Sequence, residues 1–157
     1  MNSIARGVLL AWLMFIGTGT QALGSPTPVR PLAFPRSNTP APDFSLGRIE
    51  FCVREMEPLI GRYPPELKTT REREVTYAKW SEVVRAAEAI RERDGFSERI
   101  FTALAALYRQ GHNMDVVECG ERAQAVLEVG LKEYPNSIPL NRQASYFYLQ
   151  INPKFAP

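Results

Sequence analysis

The fold class follows most directly from residues 97–111, SERIFTALAALYRQG. The apolar residues of this stretch recur three or four positions apart, which is the spacing of one face of an α-helix. Ser97 stands where a serine can cap the first turn, and Gly111 stands where a glycine can close the last. We therefore predict a helix here. Its core-facing stripe comprises Ile100, Leu104, Leu107 and Tyr108.

Helical periodicity extends on both sides, through residues 43–157, and caps and stop signals predict four further helices. They run from Asp43 or Ser45 to a left-handed Gly61, from about Thr70 to Asp94-Gly95, from Asp115 to Tyr134, and from Ser137 to Asn152-Pro153. Their stripes comprise Leu46, Ile49, Val53, Met56 and Ile60, then Tyr77, Trp80, Val83, Val84, Ala87 and Ile90, then Val116, Gly120, Ala123, Val126, Leu127, Gly130, Leu131 and Tyr134, and last Leu140, Ala144, Phe147, Tyr148 and Ile151. Whether residues 66–73 are helix or loop stays open. No stretch alternates as a half-buried strand does, so the predicted fold class is all-α.

The first 24 residues have the pattern of a secretory signal peptide. Arg6 is followed by an apolar run over residues 7–16, which is about half the length that a membrane-spanning helix needs. Small residues at positions 20, 22 and 24 suit a signal peptidase, and no cysteine follows for attachment of a lipid. We expect export to the periplasm or the medium, with no stable membrane span after cleavage. An uncleaved anchor is the alternative.

Residues 25–42 carry prolines at positions 26, 28, 31, 35, 40 and 42. Each proline lacks a backbone N–H and fixes φ, so the segment cannot join a helix or a central strand. We interpret it as an extended, polyproline-II-like flexible linker between the signal peptide (1–24) and a helical domain (43–157). Binding to a proline-recognising partner domain is the alternative use of this segment.

Proline- and glycine-containing breaks at residues 63–65, 93–95 and 134–136 divide the helical region at intervals of about 30 and 41 residues. Residues 104–111, LAALYRQG, and residues 131–137, LKEYPNS, resemble the first helix and the closing turn of a tetratricopeptide (TPR) repeat. In such a repeat, small residues let paired helices approach closely, large ones fill the space between them, and the proline ends the unit. The resemblance implies a short TPR-like α-solenoid.

Residues 111–115, GHNMD, and residues 152–157, NPKFAP, are also similar to exported bacterial proteins of uncharacterised function that contain such repeats. This resemblance implies a fold and a compartment, and no particular activity. In the family pattern a further helix would begin near residues 155–157. Either the fifth helix presents an unpaired apolar face to a partner or a second copy, or the sequence belongs to a shortened product.

Composition and charge exclude several classes of function. The 157 residues include 19 Lys and Arg and 17 Asp and Glu, and loss of Arg6 with the signal leaves 18 minus 17, a net charge of +1. This balance is unlike that of a nucleic-acid-binding protein. One histidine and two cysteines are too few soft ligands for a zinc or iron–sulfur site. We expect no nucleic-acid partner and no metal or other cofactor.

Residues with catalytic chemistry have simpler structural interpretations. His112 and Asp115 could activate a nucleophile such as Ser97 or Ser137, but nothing in the sequence brings these serines close, and Asp115 is expected to cap a helix. A glycosidase mechanism needs two carboxylates opposed across a cleft. Most glutamates of this chain stand opposite the apolar stripes, on what we interpret as solvated helix faces, so we predict no catalytic residue.

The glycines form no phosphate-binding fingerprint. Two of them, Gly120 and Gly130, lie inside the fourth predicted helix, where each costs about 1 kcal/mol relative to alanine. A neighbouring helix that crosses closely at these positions would explain them, and we predict such a contact.

Cys52 and Cys119 are the two cysteines of the chain. In an exported protein without metal ligands, they predict a disulfide between the first and the fourth helix. Two separate buried thiols that fill apolar space are the alternative.

Consecutive aromatic residues Tyr146, Phe147 and Tyr148 lie in the fifth predicted helix. Neighbours on a helix point about 100° apart, so at least one of the three rings must point away from the core. These three residues are therefore the candidate contacts with a partner.

Two functions fit these features. The favoured one is an exported helical-repeat module that binds an unknown protein or peptide and catalyses nothing itself. The alternative is a small periplasmic enzyme that acts on cell-wall material through a glutamate in a cleft. A concave face lined by aromatic, Arg and Asn side chains would favour the module, and a buried carboxylate in the largest pocket would favour the enzyme.

Overall fold

The computed structural model describes residues 41–151, and all regular structure in that range is helical. The helices are α1 (Leu46–Ile60), α2 (Thr70–Asp94), α3 (Glu98–Asn113), α4 (Cys119–Glu133) and α5 (Ile138–Ile151). The all-α prediction is confirmed for this part of the chain. The predicted signal peptide, most of the predicted linker and the predicted end of the fifth helix lie outside the described residues.

Hydroxyl side chains begin four of the helices by accepting a backbone N–H from the first turn. The donor–acceptor pairs are Arg48 N with Ser45, Glu72 N with Thr69, Ile100 N with Ser97, and Leu140 N with Ser137. At α2 the carboxylate of Glu72 also accepts the N–H of Thr69, which completes a capping box. The sequence left residues 66–73 open between helix and loop. In the structure residues 66–69 precede α2, and residues 70–73 form its first turn.

The end of α3 differs from the prediction. The helix continues past Gly111 to Asn113, and Asp115 follows with a left-handed φ of 63°. The N–H of Val116 donates to the Gly111 carbonyl and that of Asp115 to the His112 carbonyl, each at 3.0 Å. These two bonds form a Schellman-type C-cap, in which a short polar residue can replace the usual glycine. Asp115 therefore closes α3 and does not cap α4 as predicted.

Two glycines have roles other than the predicted helix ends. Gly111 lies inside α3, where an added Cβ would come within 2.4 Å of the Trp80 ring and 2.6 Å of the Cys119 Sγ. Gly61 does follow α1, but with a right-handed φ of −75°. Gly111 is thus required for close packing, and Gly61 has no left-handed turn to make.

The packing order of the helices follows the chain. α3 contacts each of the other four helices, α1 also contacts α2, and α4 also contacts α5. Within residues 41–151, no Cα of α1 or α2 lies within 8 Å of α4 or α5. α1 and α3 run in the same direction, because Glu50 pairs with Arg99 near their starts and Asn113 donates to the Ile60 carbonyl near their ends.

The predicted close crossings of α4 by another helix are confirmed. A Cβ at Gly130 would lie 3.1 Å from the ring of Phe101, and one at Gly120 would lie 2.9 Å from the imidazole of His112. The pattern missed Phe101 as a core residue. Its ring is buried and stacks on Phe96 with centroids 4.3 Å apart. Both partners of the glycines belong to α3, which makes α3 and α4 the most closely packed pair.

Candidate functional site

Arg109 lies where α1, α3 and α5 meet, and its side chain is almost fully buried. One terminal nitrogen donates to both carboxylate oxygens of Glu57, at 2.6 and 2.9 Å. The other terminal nitrogen donates to the Gly61 carbonyl, and Nε donates to Oε1 of Gln143 at 3.4 Å. A planar guanidinium with donors on every edge suits such a junction. Arg109 therefore connects the end of α1 to α5 across α3.

Two neutral side chains of α3 extend this network along α1. The amide of Gln110 donates to the Val53 carbonyl at 3.1 Å and to Glu57 at 2.9 Å, and the amide of Asn113 donates to the Ile60 carbonyl at 3.0 Å. The last carbonyls of a helix have no partner within the helix. Asn113 supplies a donor to one of these carbonyls, that of Ile60, whereas the Val53 carbonyl lies in the middle of α1. Both side chains are fully buried.

The three candidate partner contacts on α5 have different environments. Phe147 is buried, Tyr148 is half-buried, and Tyr146 is 42% exposed. The Tyr146 ring centroid lies 5.5 Å from the guanidinium carbon of Arg109, within range for a cation–π contact. The expectation that one ring points away from the core is confirmed, and that ring is Tyr146. Its role as a partner contact stays a prediction.

A second buried polar cluster lies between α2, α3 and α4. The Tyr108 hydroxyl donates to Glu88 at 2.6 Å, and both side chains are buried. Burial, followed by the charge of Glu88, raises the pKa of Tyr108 above its ordinary value. Arg122, buried nearby, pairs with Glu118 at 2.9 Å. Glu88 is thus held as an acceptor for a tyrosine, and it does not line the surface cleft at the start of α2.

A surface cleft of about 270 Å³ lies where the α1–α2 connection, the start of α2 and the end of α3 come together. Its lining consists of Pro65, Leu67, Arg73, Glu74, Tyr77 and Met114. The prediction of Tyr77 as a core residue is wrong, because its side chain is 38% exposed on this cleft. Among the described lining residues Glu74 is the one carboxylate, so the cleft lacks the opposed pair that a glycosidase needs.

The predicted disulfide between Cys52 and Cys119 is not formed. Both residues are free, buried thiols, and their helices α1 and α4 have no Cα atoms within 8 Å of each other. A disulfide needs Cα atoms no more than about 7 Å apart. Cys119 instead fills the space beside Gly111, and burial raises its pKa to about 12.

The residues considered for nucleophilic catalysis have separate structural environments. Ser97 and Ser137 cap helices, Asp115 closes α3, and His112 is half-buried against Gly120. In residues 41–151, no group of three or more His, Cys, Asp or Glu side chains could hold a metal ion. The same residues include no helix long and apolar enough to cross a membrane.

Comparison of the chain with protein-family models, with curated proteins and with solved structures finds no match. The sequence did not indicate a role for Arg109, Gln110 and Asn113, because nothing within one helix shows that a polar side chain is covered by a neighbouring helix. Their spacing was one available signal, since residues 109 and 113 are four apart and share one face of α3.

Proposed function

We propose that the chain is an exported, TPR-like helical-repeat module that binds another protein or peptide and has no catalytic activity of its own. The observation that carries this proposal is the packing order of the helices. Within residues 41–151, Cα atoms of each helix come within 8 Å only of helices one or two places away in the chain; α1, α3 and α5 approach in sequence order, whereas no Cα of α2 lies within 8 Å of α4. Stacked helix pairs have this nearest-neighbour pattern, and their stacking creates the extended concave surfaces that such proteins use for binding.

The binding surface of this proposal is the side formed by α1, α3 and α5. Arg109 is buried on this side, and around it stand half-buried Glu57 and Gln143 and exposed Tyr146. Tyrosine and arginine carry much of the binding energy in protein interfaces, and a ring with fixed orientation loses little entropy on binding. The cation–π contact with Arg109 orients Tyr146, which makes it the central contact residue that we propose.

The enzyme alternative has less support. It requires a glutamate in a cleft, and Glu74 does line one. A second carboxylate is missing from the described lining, and buried Glu88 is engaged with Tyr108 elsewhere. The combination favours binding over hydrolysis of a glycosidic bond.

Export is part of the proposal, and it rests on the N-terminal sequence. A signal peptidase acting after the small residues at positions 22 or 24 would leave a chain that begins at residue 23 or 25. Intact-mass measurement of the protein from the exporting cell tests this. A mature protein that still begins with Met1 would contradict it.

Binding is tested by photo-crosslinking in the exporting cell. A photo-reactive phenylalanine analogue is placed at Tyr146 or, as a matched control, at Val75, which is 62% exposed on α2. We expect a discrete crosslinked partner from position 146 and none from position 75. The same partner should be lost when Arg109→Gln is combined with the probe at position 146. Equal crosslinking from both positions, or none from either, would contradict the proposed surface.

A further inference from the structure

One aromatic ring, that of Tyr77, lines the cleft beside α2, and a buried ring supports it. The Tyr77 ring packs against Trp80 with centroids 5.6 Å apart, and Trp80 is fully buried. The Trp80 indole N–H donates to the Leu107 carbonyl at 2.8 Å, which fixes its position. Pro65 also lines the cleft. Aromatic and proline walls of this kind accommodate polyproline-II segments, whose backbone is already extended and loses little entropy on binding.

The chain contains a segment with matching chemistry. Residues 28–36, PVRPLAFPR, combine three prolines with apolar Leu32 and Phe34 and two arginines, and residues 25–42 contain no acidic residue. We propose that this segment binds to the cleft of the same chain, with Leu32 and Phe34 against Tyr77. This inference concerns a different surface from the α1, α3 and α5 side and does not depend on the proposed function.

The length of chain before α1 fits this placement. α1 is 15 residues long, which corresponds to about 22 Å at 1.5 Å per residue. The cleft lies at its far end, because Pro65 and Leu67 follow α1. An extended chain covers about 3.1 Å per residue, so a stretch from Phe34 to Pro42 in that conformation would span about 25 Å. A segment that runs back along α1 therefore brings Phe34 to the cleft.

Charge gives the proposal a specific signature. Glu74 lines the cleft and is exposed, so it can pair with an arginine of the segment. Arg73 lines the same cleft, and its positive charge repels the arginines of the segment. Reversal of the charge at position 74 should therefore weaken binding, and reversal at Arg73 should not.

The experiment places p-benzoyl-phenylalanine at Phe34 in the full chain, which is purified from the exporting cell and irradiated. We expect a crosslink within the same chain to Leu67, Tyr77 or Met114, identified by peptide mass spectrometry. Glu74→Arg should lower its yield about threefold, the scale of one exposed ion pair. Glu82→Arg, an exposed carboxylate on the same helix outside the cleft lining, is the matched control and should leave the yield unchanged. Arg73→Glu should keep or raise it.

Circular dichroism of each variant confirms that the helices are intact. Absence of the crosslink to the cleft would overturn the proposal. So would a crosslink found only between two chains, which would assign the cleft to a second copy. An equal yield in Glu74→Arg and Glu82→Arg would also overturn it, because the segment would then not meet Glu74.

Discussion

α3 packs against α4 and against α1 through different chemistry. Toward α4 it packs closely, with Phe101 over Gly130 and its own Gly111 next to Cys119. Toward α1 it uses long polar side chains, with Arg109 paired to Glu57 and Gln110 bonded to the Val53 carbonyl. The first interface is held by the fit of small and apolar groups, and the second by hydrogen bonds.

The difference follows from what each partner offers. α4 packs against α3 from Cys119 in its first turn to Gly130 in its last, and it offers small residues and a thiol there, so the fit of side-chain shapes decides this contact. α1 presents its C-terminal end, where carbonyls lack partners. A helix that packs against such an end needs donors, and the amide and guanidinium groups of α3 supply them. Burial of a polar residue can thus indicate the end of a neighbouring helix.

The largest effect on stability is expected at the interface between α3 and α4. Leu127 of α4 is fully buried, so Leu127→Ala should lower the free energy of unfolding by about 2–5 kcal/mol, through lost apolar contact and the cavity that remains. Leu149→Ala on α5 is the control, because Leu149 is 61% exposed. Denaturant unfolding of both variants measures the difference. A loss below about 0.5 kcal/mol for Leu127→Ala would mean that α3 and α4 are not packed as described.

The hydrogen-bonded interface between α1 and α3 is tested by removing the charge of Arg109. Arg109→Met should cost about 2–3 kcal/mol, because the Gly61 carbonyl loses its donor and Glu57 loses its counter-charge, although Glu57 is 40% exposed and can be hydrated. Arg99→Met removes a similar bidentate pair with Glu50, but Arg99 is 61% exposed. We expect that control to cost less than about 1 kcal/mol. Denaturant unfolding measures the loss of unfolding free energy in both variants. Equal losses would show that burial of Arg109 does not increase its contribution to stability.

Close approach of α3 to its neighbours is tested at Gly111. Gly111→Ala should destabilise the protein by about 1–3 kcal/mol, because the added methyl group overlaps the Trp80 ring and Cys119. Gly47→Ala in α1, where an added Cβ has nothing within 4 Å, should instead stabilise it by a few tenths up to about 1 kcal/mol. Thermal unfolding measures the change in stability of both variants. Stabilisation by both would rule out the tight contact.

The smallest effect concerns the pH dependence of stability. Burial raises the pKa of Cys119 to about 12 in the folded protein, while in the unfolded chain the thiol ionises near its ordinary value of about 9. Between pH 9 and 10 the unfolded state therefore binds fewer protons, and the free energy of unfolding should fall by about 1 kcal/mol. Urea unfolding at pH 9 and at pH 10 measures this fall, which should be smaller in Cys119→Ala than in the unsubstituted protein. Identical slopes would contradict a buried thiol beside Gly111.

Much of the architecture could be predicted from local features of the chain. Five helices, the caps at Ser97 and Ser137, and the stop at Asp94-Gly95 depend on residues within one turn of each other, so the sequence carries them directly. Gly120 and Gly130 predicted close crossings because an interior glycine costs helix stability unless another element needs the space. One aromatic of residues 146–148 had to point outward, and helical geometry alone required it.

The remaining features depend on residues far apart in the chain. Arg109 is buried only because α1 ends beside it, and Tyr77 is exposed on a cleft only because the chain turns at Pro65 and Leu67. The two cysteines remain thiols because α1 and α4 each pack against α3 without approaching each other. Even Asp115, assigned to α4 by its side chain, closes α3 because the backbone N–H groups after Asn113 fold back on α3 carbonyls. Periodicity determines which face of each helix is buried, and only the packed helices decide which partner covers that face.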